Sequence, residues 1–309
     1  MDLRQLRHFI TVADTLHFGR AAERLGMTQP PLSQSIQALE RELGADLFVR
    51  SKRVVALTAF GRQWLEHVRP AVAGVAALAD IAQRLRTGTV GGLSLAFVST
   101  ADYSVLPRLV QLYSAEFPGV ELELEEATSD VQIKALLDGR INAGILISAR
   151  AALPPALDYR PLVTEPLMAA VPQSWIDDGQ LAPVDGALRS DDWMSLPLII
   201  FPSRVSPDFH ELVTGFYRSR GHQPVVQQEA IQMQTIISLV SAGLGMALVP
   251  ASLQHLARTG VRYLSLARET PKLETGLAWR RADDTPTLAA LIAIAARLDE
   301  EDRAAVAAS

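Results

Sequence analysis

The strongest constraint lies at the N-terminus, where two apolar runs at helical spacing flank a glycine turn. Leu3, Leu6, Ile10 and Ala13 mark one amphipathic helix, and Leu32, Ile36, Leu39 and Leu43 mark another with steps of four, three and four. Between them, Phe18 to Leu25 is long enough for a short helix, and Gly26 suits its C-terminal end. Thr28 can then cap a helix that opens with Gln29, Pro30 and Pro31. After Gly44, the runs Leu47-Phe48-Val49 and Val54-Val55-Ala56-Leu57 read as short strands flanking the basic turn Arg50-Ser51-Lys52-Arg53. The order is helix, tight turn, helix and wing. Such a hairpin serves either as a small bundle with a solvated polar face or as a DNA-reading head.

The polar residues of the third helix fit the second use. A recognition helix reads base edges from its first turns, which calls for short hydroxyl and amide side chains there. Gln29, Ser33 and Gln34 stand at that end: glutamine pairs bidentately with adenine, and serine serves several bases. The methylenes of Pro30 and Pro31 can touch a thymine methyl, while Arg50 and Arg53 suit phosphate or a narrow minor groove. Charge alone decides little. The 309 residues carry a net charge of -5, but residues 1–58 hold eight basic against six acidic side chains, a balance of +2. The remainder holds 21 against 28, so polyanion binding is confined to the head.

From Thr58 to Arg86 the chain is Ala-rich, with Val68, Ala71, Val75, Leu78, Ala82 and Leu85 in alternating steps of three and four. This predicts a long helix with a self-pairing seam, with a lost hydrogen bond or a kink at Pro70. The stretch Thr87-Gly88-Thr89-Val90-Gly91-Gly92 marks a linker into a second unit. Beyond it, strand-like and helical stretches alternate: Leu93–Val98, Pro107–Glu116, Val120–Glu125, Ser129–Asp138 and Ala143–Ile147. The pattern resumes at Leu167–Val171, Leu198–Phe201, Pro207–Gly221, Gln223–Ala230, Met233–Ala242 and Met246–Val249, and implies parallel βαβ units in one domain or in two lobes with ligand between them.

Composition removes much chemistry. There are no cysteines, hence no disulfide, thiolate catalysis or cysteine-ligated metal cluster. The six histidines include no pair four residues apart and no HExxH, so no metal and no cofactor is expected. Ala242-Gly243-Leu244-Gly245 lacks the third glycine and preceding strand of a nucleotide loop. Adjacent acids such as Glu125-Glu126 are expected to face water, and no Gly-x-Ser-x-Gly elbow occurs. No stretch approaches the roughly 18 apolar residues of a membrane span, so no membrane partner is expected. Met1 to Phe9 carries Asp2, Arg4 and Arg7 before any apolar run, which is not a secretory order, and a cytoplasmic location follows as the expectation.

The string Ala21-Ala22, Leu25, Thr28-Gln29-Pro30, Leu32-Ser33, Ile36, Leu39-Glu40, Leu43-Gly44, Leu47-Phe48, Arg50, Arg53, Leu57-Thr58 and Gly61 resembles the N-terminal signature of LysR-type transcriptional regulators. The resemblance covers about the first 60 residues and continues more loosely through Phe117-Pro118, Leu136, Gly139, Gly144, Val240, Gly243, Gly245 and Pro250. Asn142 departs from it, since an aspartate is usual there. The resemblance implies a multidomain α/β chain: a winged helix–turn–helix at 1–58, a linker and dimerisation helix at 59–90, and an effector domain of two periplasmic-binding-protein-like lobes at 91–309. Lobe I is expected at 91–162 and 269–309 and lobe II at 163–268, with crossings near Arg160–Val163 and Leu264–Arg268.

The implied partners are double-stranded DNA with an imperfect palindromic operator, RNA polymerase, a second copy or a pair of dimers, and a small-molecule effector. Within the family the chain looks most like regulators of aromatic catabolism, so an aromatic or dicarboxylic acid is the effector the resemblance implies. Ser99, Thr100, Ser129, Phe201, Ser203, Arg204, Gln234 and Thr235 are the residues placed to hold it, by hydroxyls and amides at helix N-termini and by the Arg204 charge. Ile147 stands where some benzoate-responsive relatives carry an arginine for a second ligand. Two rival readings use the same scaffold: an enzyme with a fused DNA-binding head, and a constitutive DNA-organising protein without a ligand.

Overall fold

The computed structural model describes residues 1–50, 55–148, 153–189, 193–266 and 270–307. Two compact units divide the chain, Met1–Gln83 and the part from Arg84 onward.

The first unit opens with α1 (Leu3–Thr15), α2 (Phe18–Arg24) and α3 (Gln29–Leu43). A capping box starts α1: the Asp2 carboxylate accepts from the Gln5 N–H at 2.7 Å, and the Gln5 side chain accepts from the Asp2 N–H at 2.9 Å. Gly26 and Gly44 follow α2 and α3 at φ +64° and +66°, left-handed backbone that glycine enters without penalty. Antiparallel strands β1 (Phe48–Arg50) and β2 (Val55–Leu57) form the wing, with Phe48 opposite Leu57 and Arg50 opposite Val55. Phe9, Val12, Phe18, Leu32, Ile36, Leu39, Leu47 and Phe48 make the core, closed by Val68 from α4 (Ala59–Arg86). The α4 helix runs through Pro70, and its residues Val75, Leu78, Ile81 and Leu85 are exposed.

The second unit is an α/β body. Strands β3 (Gly91–Phe97), β4 (Val120–Glu126) and β5 (Ala143–Ile147) alternate with α5 (Leu106–Glu116) and α6 (Ser129–Leu137). Both β4 and β5 pair with β3 in parallel, as the strand–helix alternation predicts. The long strand β6 (Leu157–Pro172) leads to α7 (Gln173–Asp177), β7 (Ala187–Leu188), β8 (Pro197–Ile200), α8 (Pro207–Ser219), β9 (Val225–Glu229), α9 (Met233–Ser241), β10 (Ala247–Pro250), β11 (Val261–Leu266), β12 (Lys272–Arg280) and α10 (Pro286–Ala307).

The parallel βαβ pairing recurs at β8 and β9, but the strands that link the two halves run the other way. β6 is antiparallel to β10, β11 and β12, and β12 is antiparallel to β5, so the sheet is mixed, in the order β4-β3-β5-β12-β6-β11-β7 with β10 beside β6. The cause is connectivity. β6 and β12 each traverse the sheet from one half to the other, and the return strand must run against the outgoing one. Their register slips at Thr275/Gly276, opposite Pro161 and Val163. Leu264 lies inside β11, and Ala267 and Arg268 fall outside the described residues. The half built on β3, β4 and β5 is called lobe I below, and the half carrying β8, β9 and β10 lobe II.

Candidate functional site

In the head, Thr28 stands at the N-cap of α3 with no side-chain capping bond, which leaves its hydroxyl for another acceptor. Thr28, Gln29, Pro30, Pro31 and Gln34 are exposed and Ser33 is half-buried, while the opposite face of α3 buries Leu32, Ile36 and Leu39 completely. The apolar seam thus fixes which polar residues face outward, as a 3.6-residue period requires. The wing is tied to the same helix. The buried Glu40 carboxylate accepts from the N–H groups of Leu47 and Phe48 at 2.9 and 3.2 Å. His8 Nδ1 lies 2.8 Å from the Ser35 hydroxyl, joining α1 to α3, and burial, followed by the Arg4 charge, lowers the His8 pKa. Arg50 ends β1, and Arg53 lies outside the described residues.

In the body, a cavity of about 280 Å³ opens between the two lobes. From lobe I it is lined by Val98, Ser99, Thr100, Glu125, Glu126 and Ala127, with Thr128, Ser129, Val131 and Ile147; Phe201, Val205, Ser206, Ile231 and Gln232 come from lobe II. Of the residues expected to hold an effector, the cavity brings together Ser99, Thr100, Ser129 and Phe201. Ser203, Arg204, Gln234 and Thr235 are exposed and lie outside its lining. For Gln234 and Thr235 the reason is helical phase: α9 starts at Met233, which is buried, so the cavity is met by Ile231 and Gln232 just before the helix; Ser203 and Arg204 lie in the turn after β8. Glu125 and Glu126 are exposed, as expected of adjacent acids, and they also line the cavity. Their membership of the lining follows from β4 ending at the cavity mouth, which the strand's alternation could not reveal.

Thr100 is 2% exposed, and its hydroxyl has no hydrogen-bond partner among the described residues. An unpaired buried hydroxyl is costly, so this group is set for a ligand or a water. The Ser129 Oγ accepts from the Ile147 N–H at 3.2 Å and keeps its own proton to donate. Gln132 secures this corner, donating from Nε2 to the carbonyls of Ala127 at 2.8 Å and Ile145 at 3.1 Å. Gly144 makes room for it, because a Cβ there would sit 2.5 Å from Gln132 Oε1. Phe201 forms an apolar wall braced edge-on by Phe209, ring centres 5.3 Å apart. Among the described residues, hydrogen bonds cross the cavity from lobe to lobe: the Met233 N–H donates to Ser99 Oγ at 3.3 Å, and Gln232 Nε2 donates to Glu126 Oε1 at 3.4 Å.

Asn142 is a structural bridge at the base of lobe I. Its Oδ1 accepts from the Ser94 N–H and Oγ at 3.0 and 3.1 Å, and its Nδ2 donates to Asp283 Oδ2 at 3.4 Å. Asp283 also pairs with Arg280 at 2.6 Å. Burial alone would raise its pKa, but hydrogen bonds from Thr285 and Asn142 and the Arg280 charge outweigh it and hold the carboxyl below its ordinary value. An aspartate at 142 would place a second carboxylate against this one.

A winged helix–turn–helix joined through a long helix to a two-lobed α/β body with a cavity between its lobes defines a DNA-binding protein with a separate ligand-sensing domain. The chain belongs to the LysR family of bacterial transcriptional regulators: residues 3–62 match the bacterial regulatory helix-turn-helix protein, lysR family, and residues 86–299 match the LysR substrate binding domain. It is similar to the HTH-type transcriptional regulator IlvR of Caulobacter vibrioides, 60% identical over 306 residues and 99% of each chain. It is also similar to AlsR of Bacillus subtilis, 37% identical over 294 residues and 93% of each chain. Among solved structures, full-length CbnR complexed with its target DNA matches with a TM-score of 0.80 at 28% identity, covering 97% of this chain and 100% of that one. The chain is a transcriptional regulator with an effector-binding domain, not an enzyme. Among the described residues no helix is long and apolar enough to cross a membrane.

Proposed function

We propose that this chain acts in the cytoplasm as a sequence-specific regulator switched by a small carboxylic acid bound between lobes I and II. The observation that carries the reading is the interlobe cavity: it collects the unpartnered Thr100 hydroxyl, the Ser129 hydroxyl at the start of α6 and an apolar wall at Phe201. Among the described residues, hydrogen bonds cross it at Ser99 and Glu126, and these would resist or follow a change in lobe closure. A ligand moves that equilibrium only as far as it prefers one closure over the other. Thr28, Gln29, Pro30, Pro31, Ser33 and Gln34 read bases, and Arg50 and Arg53 hold the backbone. The exposed seam Val75, Leu78 and Leu85 supports self-association through α4. A dimer then presents two recognition helices to an imperfect palindrome, and two dimers would bend the DNA.

Aromatic and dicarboxylic acids are the first effectors to test, although Glu125 and Glu126 on the lining weigh against a dianion. The experiment measures binding of the purified chain to the duplex upstream of its own gene and to a scrambled duplex, at two salt concentrations, with a panel of such acids. A salt-resistant preference for the native duplex, altered by one acid, is the expected result. Equal and steeply salt-dependent binding to both duplexes would overturn the site-specific reading.

A further inference from the structure

The charge pattern of the interlobe cavity narrows the effector further, an argument that rests on the reading just proposed. Among the described residues the lining holds two carboxylates, Glu125 and Glu126, and no lysine or arginine. The hydrogen bond identified for Glu126 across the cavity comes from the neutral Gln232 amide. Asp102, two residues after Thr100, senses the same negative field: burial first, then the Glu126 charge, raise its pKa. A plain organic anion entering here would bring its charge toward acids with no described cation on the lining to meet it. A plain amine would satisfy Glu126 but leave the buried Thr100 hydroxyl without a charged acceptor. A molecule carrying both charges meets both demands.

We infer that the effector is a compact zwitterion of the aliphatic amino-acid class, its ammonium toward Glu126 and Gln232 and its carboxylate toward Thr100, Ser129 and the start of α6. The side chain then lies against Val98, Ile147, Phe201 and Ile231, all on the cavity wall. A cavity of about 280 Å³ is at the small end for ligand sites, which suits a body of this size. The acidic residues and the hydroxyls are independent signals, and the α-carbon of an amino acid carries both groups that answer them.

The test uses the full-length protein and matched probes: L-valine and L-leucine, their desamino acids isovalerate and isocaproate, and their decarboxylated amines isobutylamine and isoamylamine. Calorimetric titration and the thermal midpoint are read for each, beside the aromatic and dicarboxylic acids above. One of the amino acids should bind, and its desamino acid and amine should bind at least about tenfold more weakly. Glu126→Gln, an exposed and near-isosteric change, should weaken the amino acid about tenfold while sparing the desamino acid, and Glu125→Gln serves as the companion variant. If the desamino, aromatic or dicarboxylic acid binds as tightly as or more tightly than the amino acid, the zwitterion inference falls and the carboxylic-acid regulator stands. If no probe of any class binds, both fall.

Discussion

Replacing Glu40 by alanine should detach the wing from the recognition helix. In the native head one carboxylate oxygen accepts from two N–H groups, those of Leu47 and Phe48, whose residues are 0% and 4% exposed. Each orphaned buried donor costs about 1–3 kcal/mol. Because both bonds share one oxygen their losses overlap, and about 3 kcal/mol is the expected total. That corresponds to roughly a hundredfold rise in local opening at 1.4 kcal/mol per decade. Hydrogen exchange followed by mass spectrometry reads it directly: peptides covering Phe48–Arg50 should lose about two decades of protection, while peptides from β3 to β5 keep theirs. Glu40→Gln retains an acceptor oxygen and should lose only about one decade. Affinity should fall for matched and scrambled duplexes alike, since a displaced wing removes backbone contacts and not base contacts. A change of less than about threefold in exchange at β1 in Glu40→Ala would refute the anchoring role, because a buried donor pair cannot lose its acceptor at so small a cost.

Four further outcomes can be measured. Gln29→Ala should cost about 1–3 kcal/mol and relax base preference, whereas Arg53→Ala should weaken all sequences and lower the salt slope by about one; competition binding at several salt concentrations separates the two. Gly61→Ala would place a Cβ 2.2 Å from the Leu47 carbonyl oxygen, and denaturant titration should show a loss of about 3 kcal/mol in the head. Thr100→Ala should leave operator binding intact and abolish the effector response, and loss of DNA binding instead would make Thr100 structural. The Asp283 carboxyl is depressed in the folded chain, so its stabilising contribution is complete above the ordinary carboxylate range and fades as pH falls through the depressed value. Asn142→Asp should move that loss to higher pH, visible as a shifted acid-unfolding midpoint.

The head was almost fully legible in the sequence because its information is local. Helix period, the cap position at Thr28 and the glycines at 26 and 44 each act within a few residues of chain. The body was legible element by element for the same reason: Ala143–Ile147 is β5, and Val120–Glu125 falls within β4. The cavity was legible only in part. Thr100 and Ser129 sit at strand and helix ends that the pattern marks, but Gln234 and Thr235, at the opening of α9, lie outside the lining. One residue of phase turns a side chain by about 100°.

By itself, then, the sequence determined the recognition helix and its outward residues, the order of strands and helices, and the division between a DNA-reading head and an α/β body. Tertiary structure alone decided that β6 and β12 run antiparallel across both lobes, and that Glu125, Glu126 and Gln232 meet around an unpartnered Thr100. Local elements are set by backbone geometry and the period of burial, whereas the chemistry of a cavity is set by residues far apart in the chain. Those residues become neighbours only when the sheet has chosen its pairing, and no local pattern encodes that choice.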